Sequence, residues 1–108
     1  MSANTILRLC ELLRSYNPDF TLGQLQTLIE IVKSDQIPSQ SEIASRTGQP
    51  LVTVSRHCAS FGPVRKANPT ALDLIRLEHT EEDRRTTTIT LSPKGKLVAS
   101  QIRNLLKE

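Results

Sequence analysis

Two groups of cationic and hydroxyl side chains in this 108-residue chain could do chemistry. Thr53, Ser55 and Arg56 lie in a stretch with helical periodicity, and Arg84–Arg85 lie in a polar segment further along. Hydroxyl and guanidinium groups donate hydrogen bonds to phosphate oxygens, and arginine also reaches guanine edges. The chemistry of these side chains is therefore anion binding.

The residue types and spacings of the chain do not support catalytic or metal-binding chemistry in the same way. No nucleophile has an adjacent general base, and the acidic residues form no pair with a reason for a shifted pKa. His57 and Cys58 are adjacent and His79 stands alone, so zinc spacing is missing, and the four glycines are isolated, so no phosphate-binding glycine loop is formed. We expect no enzymatic activity, no metal and no cofactor.

The two cysteines, Cys10 and Cys58, are too few for a disulfide framework. Both fall on apolar faces of predicted helices. They are therefore expected to be buried, reduced thiols that pack as small hydrophobes. A redox-sensing thiol is the alternative interpretation.

Composition limits the size and class of the protein. The length predicts one domain, residues 1–108, and 37% hydrophobic but only 3% aromatic residues predict an aliphatic core. A net charge of +3 favours a polyanionic partner weakly. No apolar run is long enough to cross a membrane, and the N-terminal stretch lacks the apolar centre of a signal peptide. We expect a cytoplasmic, nucleoid-associated protein with no membrane partner.

The segment Ser39–Phe61 reads as two helices joined by a tight turn. Ser39 and Glu42 form a capping box, Gly48 suits the end of the first helix, and Pro50 suits the first turn of the second. The second helix has one apolar face, made by Leu51, Val54, Cys58 and Phe61. Together with Ala44 and Gly48, Val54 has the spacing of a DNA-binding helix-turn-helix.

The remaining elements surround this segment. Helices are predicted over Asn4–Tyr16, from Thr21 with a capping box to Gln24, and over Pro93–Lys107. Strands are predicted over Leu72–His79 and Arg85–Leu91; broken alternation in the first indicates a bulge or a late start. The predicted fold class is mainly α (α+β): a winged helix-turn-helix with helices plus a two-stranded β wing.

The two terminal helices, about 4–16 and 93–107, carry more apolar residues than a single narrow helix face can hold. The first is either packed between two other helices or divided between the core and a dimer interface. Because both helices share this excess, they are the candidate dimerisation elements.

Three segments resemble the MarR-type winged-helix transcription regulators, as a short member of that family. They are Ser39–Gly48 (SQSEIASRTG), Thr53–Arg56 (TVSR) and Asp83–Gly95 (DRRTTTITLSPKG), and the similarity spans Ile37–Ile102. The resemblance implies a homodimer on an inverted repeat of double-stranded DNA, and repression as the family's usual mode. The chain departs from the family at Gln49, where an aliphatic residue is usual.

The resemblance also assigns roles to residues. The second helix of the helix-turn-helix would enter the major groove; Arg85 would enter the minor groove with Asp83 fixing its position, and Arg84 would contact phosphate. The expected DNA-binding residues are Ser39, Gln49, Pro50, Leu51, Thr53, Ser55, Arg56, His57, Arg84 and Arg85, with Asp83 as wing support.

Other functions stay open at this point. Leu51 and Val52 stand where the family usually carries polar residues, so they could contact thymine methyl groups or could bind protein. With the acidic Glu81–Asp83, they support a winged-helix protein-interaction module. A DNA-binding protein of phage or plasmid replication or partition would use the same residues as a regulator. Because the only aromatic residues are Tyr16, Phe20 and Phe61, we expect no small-molecule effector.

Overall fold

The computed structural model describes residues 2–79 and 87–107 of the chain. Its elements, in chain order, are α1 (Ala3–Tyr16), α2 (Leu22–Val32), α3 (Gln40–Thr47), α4 (Leu51–Phe61), β1 (Ile75–His79), β2 (Thr87–Leu91) and α5 (Pro93–Leu106). Helices dominate, and β1 and β2 form a two-stranded antiparallel sheet. The predicted fold class is therefore confirmed.

Local sequence signals set where the helices begin. The capping boxes at Thr21 and Ser39 are both complete. The side-chain oxygens of Gln24 and Glu42 accept hydrogen bonds from the backbone amides of the two cap residues. These bonds satisfy amide groups that the first turn leaves without intrahelical partners. Pro50 is the residue just before α4 and not within its first turn, so that detail of the prediction is wrong.

The core is aliphatic, as the composition predicts, with Phe61 as its one fully buried aromatic side chain among the described residues. α4 presents Val54, Cys58 and Phe61 to this core. The buried core side chains are Leu9, Leu13, Leu28, Ile31, Val32, Ile43, Val54, Cys58, Phe61, Leu74, Ile75, Ile89, Val98, Ala99 and Ile102.

Two residues that lie on predicted apolar helical faces are exposed. Leu51 lies in the first turn of α4, where the neighbouring helices no longer cover its apolar face, and its side chain is 49% exposed. Cys10 lies on an open face of α1, whereas Cys58 is fully buried. Burial raises the pKa of the Cys58 thiol to about 11, so this cysteine is protonated and inert at neutral pH.

The first strand starts late, at Ile75 and not at Leu72. The backbone amides of Leu72 and Leu74 instead donate to the carbonyls of Ser60 and Phe61, at the end of α4. Residues 72–74 are therefore hydrogen-bonded to the end of α4, and pairing with β2 begins only after them. Pairing runs from Ile75 opposite Leu91 to His79 opposite Thr87.

Ser92 joins the sheet to α5. Its hydroxyl donates to the carbonyl of Asp73 at 2.6 Å and accepts from the amide of Gly95 at 2.9 Å. A β-carbon at Gly95 would lie 1.8 Å from the carbonyl oxygen of Leu74, so only glycine permits this close approach. Close packing against Leu74 thus explains why the segment Asp83–Gly95 ends in glycine.

α1 packs against α5. The Nζ of Lys94 lies 5.6 Å from the centre of the Tyr16 ring, and the Tyr16 hydroxyl hydrogen-bonds to Gln101. Ile6 and Leu7 remain exposed on α1. α1 therefore keeps exposed aliphatic side chains within this chain, and its division between the core and a dimer interface stays a prediction.

Among residues 2–79 and 87–107, no helix has the length and apolar character needed to cross a membrane. The same residues contain no cluster of three or more histidine, cysteine or acidic side chains that could hold a metal ion.

Candidate nucleic-acid interface

The turn between α3 and α4 has the geometry of a helix-turn-helix. Gly48 ends α3 with a φ of 71°, the left-handed conformation that glycine adopts without a steric penalty. α3 then packs against α4, and the Ser55 hydroxyl donates to Oε1 of Gln40 at 2.6 Å across the two helices. The predicted left-handed turn at Gly48 is confirmed.

Ser39, a predicted DNA contact, is the N-cap of α3. Its hydroxyl accepts from the Glu42 amide at 3.1 Å, and the Ser39 amide donates to the Glu42 carboxylate. That backbone hydrogen bond, then the Ser39 hydroxyl and more weakly the charge of Arg46, lower the pKa of Glu42. The structure thus assigns Ser39 a capping role; whether it also touches DNA stays a prediction.

The side chain of Gln49, another predicted contact, points toward α2. Its Nε2 donates to the Thr27 hydroxyl at 3.1 Å and to the Thr47 hydroxyl at 3.1 Å, and lies 3.4 Å from the Gly23 carbonyl. Its Oε1 lies 3.1 Å from Nε2 of His57. Both ends of the amide thus have partners within the protein; whether Gln49 also contacts DNA stays a prediction.

His57 completes this arrangement, which we call the Gln49 clasp: Gly23, Thr27, Thr47, Gln49 and His57. Partial burial, and secondarily the charge of Arg56, lower the pKa of His57. The neutral imidazole that donates from Nε2 to Gln49 is therefore favoured near neutral pH. The sequence prediction that His57 turns partly outward fits its half-buried side chain, but its ring is held by Gln49.

Sequence reasoning did not single out Gly23 or Thr27, because α2 read only as a core helix. A β-carbon at Gly23 would lie 2.7 Å from Oε1 of Gln49 and 2.8 Å from Nε2 of His57. A glycine inside a helical pattern is the signal that could have pointed to this close approach.

Besides Ala59, three side chains of α4 are exposed. Leu51 is 49% exposed, Val52 is 66% exposed, and Arg56 is exposed one turn further along. Pro50 is also exposed, whereas Thr53 is half-buried. The structure thus brings an aliphatic pair and a cation together at the start of this helix.

The predicted wing residues Asp83, Arg84 and Arg85 lie outside the described residues. What is described of the wing is the paired β1 and β2, with Ile89 buried and Thr88 exposed, the alternation expected for a sheet with one covered face. The prediction for these three side chains stays a prediction.

A groove of about 770 Å³ lies between β2, α5 and the segment that follows α2. Lys96 and Lys107 lie along it, while Arg103 donates to the Val32 carbonyl and pairs with Asp35. None of the described residues that line the groove is aromatic. It therefore offers no stacking surface for an aromatic molecule.

Two solved structures share this arrangement of helices and paired strands. One is BpsR from Bordetella bronchiseptica, whose DNA binding is regulated by 6-hydroxynicotinic acid; it is 19% identical, with a TM-score of 0.56 over 96% of this chain and 69% of BpsR. The other is YusO from Bacillus subtilis, 21% identical, with a TM-score of 0.58 over 99% of this chain and 79% of YusO. The fold is a winged helix.

Both winged-helix neighbours are MarR-family proteins, so the structural comparison supports the resemblance seen in the sequence at the level of the fold. No protein-family model matches the chain, and no curated protein matches it significantly. In this winged helix, α3 and α4 form the helix-turn-helix, and β1 and β2 form the strands of the wing.

Proposed function

We propose that this winged helix is a sequence-specific, double-stranded DNA-binding transcription regulator of the MarR type, acting as a repressor. The observation that carries the proposal is the start of α4, which leaves Leu51, Val52 and Arg56 exposed after a helix-turn-helix with a left-handed turn at Gly48. In winged helices of this kind the second helix lies in the major groove with its first residues at the base edges. Thr53 and Pro50 flank the same surface.

The proposed assembly is a homodimer on an inverted repeat. The surfaces of α1 and α5 support it: Ile6 and Leu7 are at least half exposed on α1, and Leu97 is 59% exposed on α5, the helix against which α1 packs. Exposed aliphatic side chains on two adjoining helices are typical of an interface with another chain. Two copies would place two α4 helices in successive major grooves.

The test is a genome-wide pull-down of DNA fragments with the wild-type protein and the Arg56→Ala/Arg85→Ala variant. Lys33→Ala/Arg65→Ala removes the same charge from exposed positions outside α4, the wing and the two terminal helices and is the matched control. A shared palindromic motif that the control retains and the Arg56/Arg85 variant loses is the expected result. Equal enrichment by all three proteins contradicts the proposal.

Salt dependence gives a second, quantitative test. Each phosphate contact that is removed lowers the slope of log affinity against log salt by about one unit on B-DNA. Arg56→Ala and Arg85→Ala should each flatten the slope by up to this amount, whereas Arg65→Ala, in the loop after α4, should leave it unchanged. A slope that Arg85→Ala does not alter removes the wing from the mechanism.

A protein-interaction module is the second candidate, because Leu51 and Val52 are exposed aliphatic side chains at the start of α4. It predicts negligible DNA affinity even at low salt, and a protein partner that Leu51→Ala or Val52→Ala releases. A role in phage or plasmid replication or partition shares the DNA contacts. The genomic position of the bound motif, at promoters or at a replication origin, separates it from transcriptional control.

We propose no small-molecule effector for this chain, since the described lining of the groove beside α5 contains no aromatic residue. The DNA binding of BpsR is regulated by 6-hydroxynicotinic acid, so that compound is the appropriate probe. Affinity for DNA should be unchanged at millimolar concentrations of it. A decrease would contradict this part of the proposal. The proposed absence of catalytic activity and the cytoplasmic, nucleoid-associated location stay predictions.

A further inference from the structure

Three polar side chains around the helix-turn-helix are engaged within the protein; Thr53, half-buried in the first turn of α4, is not one of them. Both ends of the Gln49 amide have partners, on α2, Thr47 and His57. The Ser55 hydroxyl donates to Gln40, and the Ser39 hydroxyl caps α3. Gln49 and Ser55 therefore cannot donate to a base edge without first losing a bond inside the protein, whereas the Ser39 hydroxyl, which accepts in its capping bond, keeps its O–H as a donor.

The side chains that remain available differ in character. Between Pro50 and Thr53, Leu51 and Val52 expose aliphatic carbon at the first two positions of α4, and Val52 shares a helix face with Arg56, four residues on. A phosphate-binding cation thus adjoins a two-residue apolar surface. The surface is far too small for a stable protein–protein interface, which buries roughly 800 Å² on each partner.

In the major groove, the C5-methyl of thymine is the apolar feature that base pairs present. We propose that Leu51 and Val52 are specificity-determining residues that read thymine methyl groups in the bound DNA. Sequence preference at these positions then comes from apolar contact, while Arg56 supplies the charge that holds the helix to the backbone. This inference rests on the proposed DNA-binding function.

The test replaces thymine by deoxyuracil, one position at a time, in a bound DNA fragment. This change removes only the methyl group and leaves base pairing intact. At the contacted positions the affinity should fall about fourfold per methyl, the effect of exposing one buried methyl group. Thymines outside the α4 contact should show no change.

Protein variants connect the effect to the two side chains. Leu51→Ala and Val52→Thr should each weaken binding to thymine DNA and reduce the difference between thymine and uracil, since each removes part of the apolar contact; Val52→Thr keeps the side-chain size and replaces one methyl by a hydroxyl. Val64→Ala, at a 59% exposed valine in the loop after α4, should retain the full difference. Because all three positions are exposed, circular dichroism should show unchanged helix content.

The outcomes separate the inference from the function that it rests on. DNA bound with equal affinity with thymine or uracil at every position overturns the thymine-methyl reading and leaves DNA binding standing. A thymine–uracil difference of undiminished size in both Leu51→Ala and Val52→Thr also overturns it. Absence of DNA binding at every salt concentration overturns both the inference and the proposed DNA-binding function. If the wild-type protein then binds a protein partner that the Leu51 and Val52 variants do not bind, the two side chains contact that partner.

Discussion

Oε1 of Gln49 lies 3.1 Å from Nε2 of His57, a contact that ties the turn of the helix-turn-helix to the middle of α4. The same amide donates to Thr27 on α2. One side chain thus connects three parts of the winged helix. We expect the orientation of α4, and with it the placement of Leu51 and Arg56, to depend on this clasp.

Gly23→Ala should weaken DNA binding with little loss of stability. The new β-carbon would lie within 2.8 Å of the ends of Gln49 and His57, so those flexible ends must move. The gain in helix propensity, about 1 kcal/mol, is similar to the loss of one or two hydrogen bonds. Fluorescence anisotropy with a bound DNA fragment and urea unfolding measure the two effects. Gln26→Ala, exposed on the same helix, is the control; equal DNA affinity for both variants would exclude a role of the clasp in positioning α4.

Gly95→Ala should destabilise the fold by about 1–3 kcal/mol or more, the range for forced overpacking. A β-carbon there would lie 1.8 Å from the Leu74 carbonyl, a backbone atom that cannot rotate away. At Gly62 the nearest atom would be 3.3 Å away, so Gly62→Ala is a milder control. Urea unfolding compares the two. Similar free energies of unfolding would mean that α5 can shift away from Leu74 at no cost.

Leu7→Asp and Leu97→Asp should each convert a dimer to monomers. Both leucines are about 60% exposed, on α1 and α5, and a carboxylate buried in an apolar interface without a partner is strongly unfavourable. Sedimentation velocity gives the oligomeric state. Val64→Asp places the same charge on an exposed aliphatic position in a loop and should leave the dimer intact. A wild-type protein that is monomeric at all concentrations would disprove the proposed assembly.

His57 should make the protein less stable as the pH falls through 6.5, its ordinary pKa. Partial burial and Arg56 lower its pKa in the folded state, so the unfolded chain takes up the proton more readily and stability falls with decreasing pH. The loss should level off below the pKa of the folded state. NMR titration of the two histidine rings and urea unfolding between pH 5 and 8 test this. In His57→Gln the pH dependence over this window should be smaller, and an unchanged dependence would exclude His57 as its source.

The sequence by itself determined the features that depend on near neighbours in the chain. The capping boxes at Thr21 and Ser39 and the left-handed turn at Gly48 formed as predicted, because each is satisfied by residues within a few positions. Periodicity likewise placed Val54, Cys58 and Phe61 in the core. These local signals were sufficient for the winged-helix fold class.

The tertiary structure decided what depends on distant elements. It turned Gln49 inward because α2 offers Gly23 and Thr27 as partners more than twenty positions away in the chain. It left Leu51 and Cys10 exposed, because the apolar pattern of a helix does not show where its neighbours end. Helical periodicity gives the direction of a side chain around its helix, but only the packing of the other elements determines whether anything covers it.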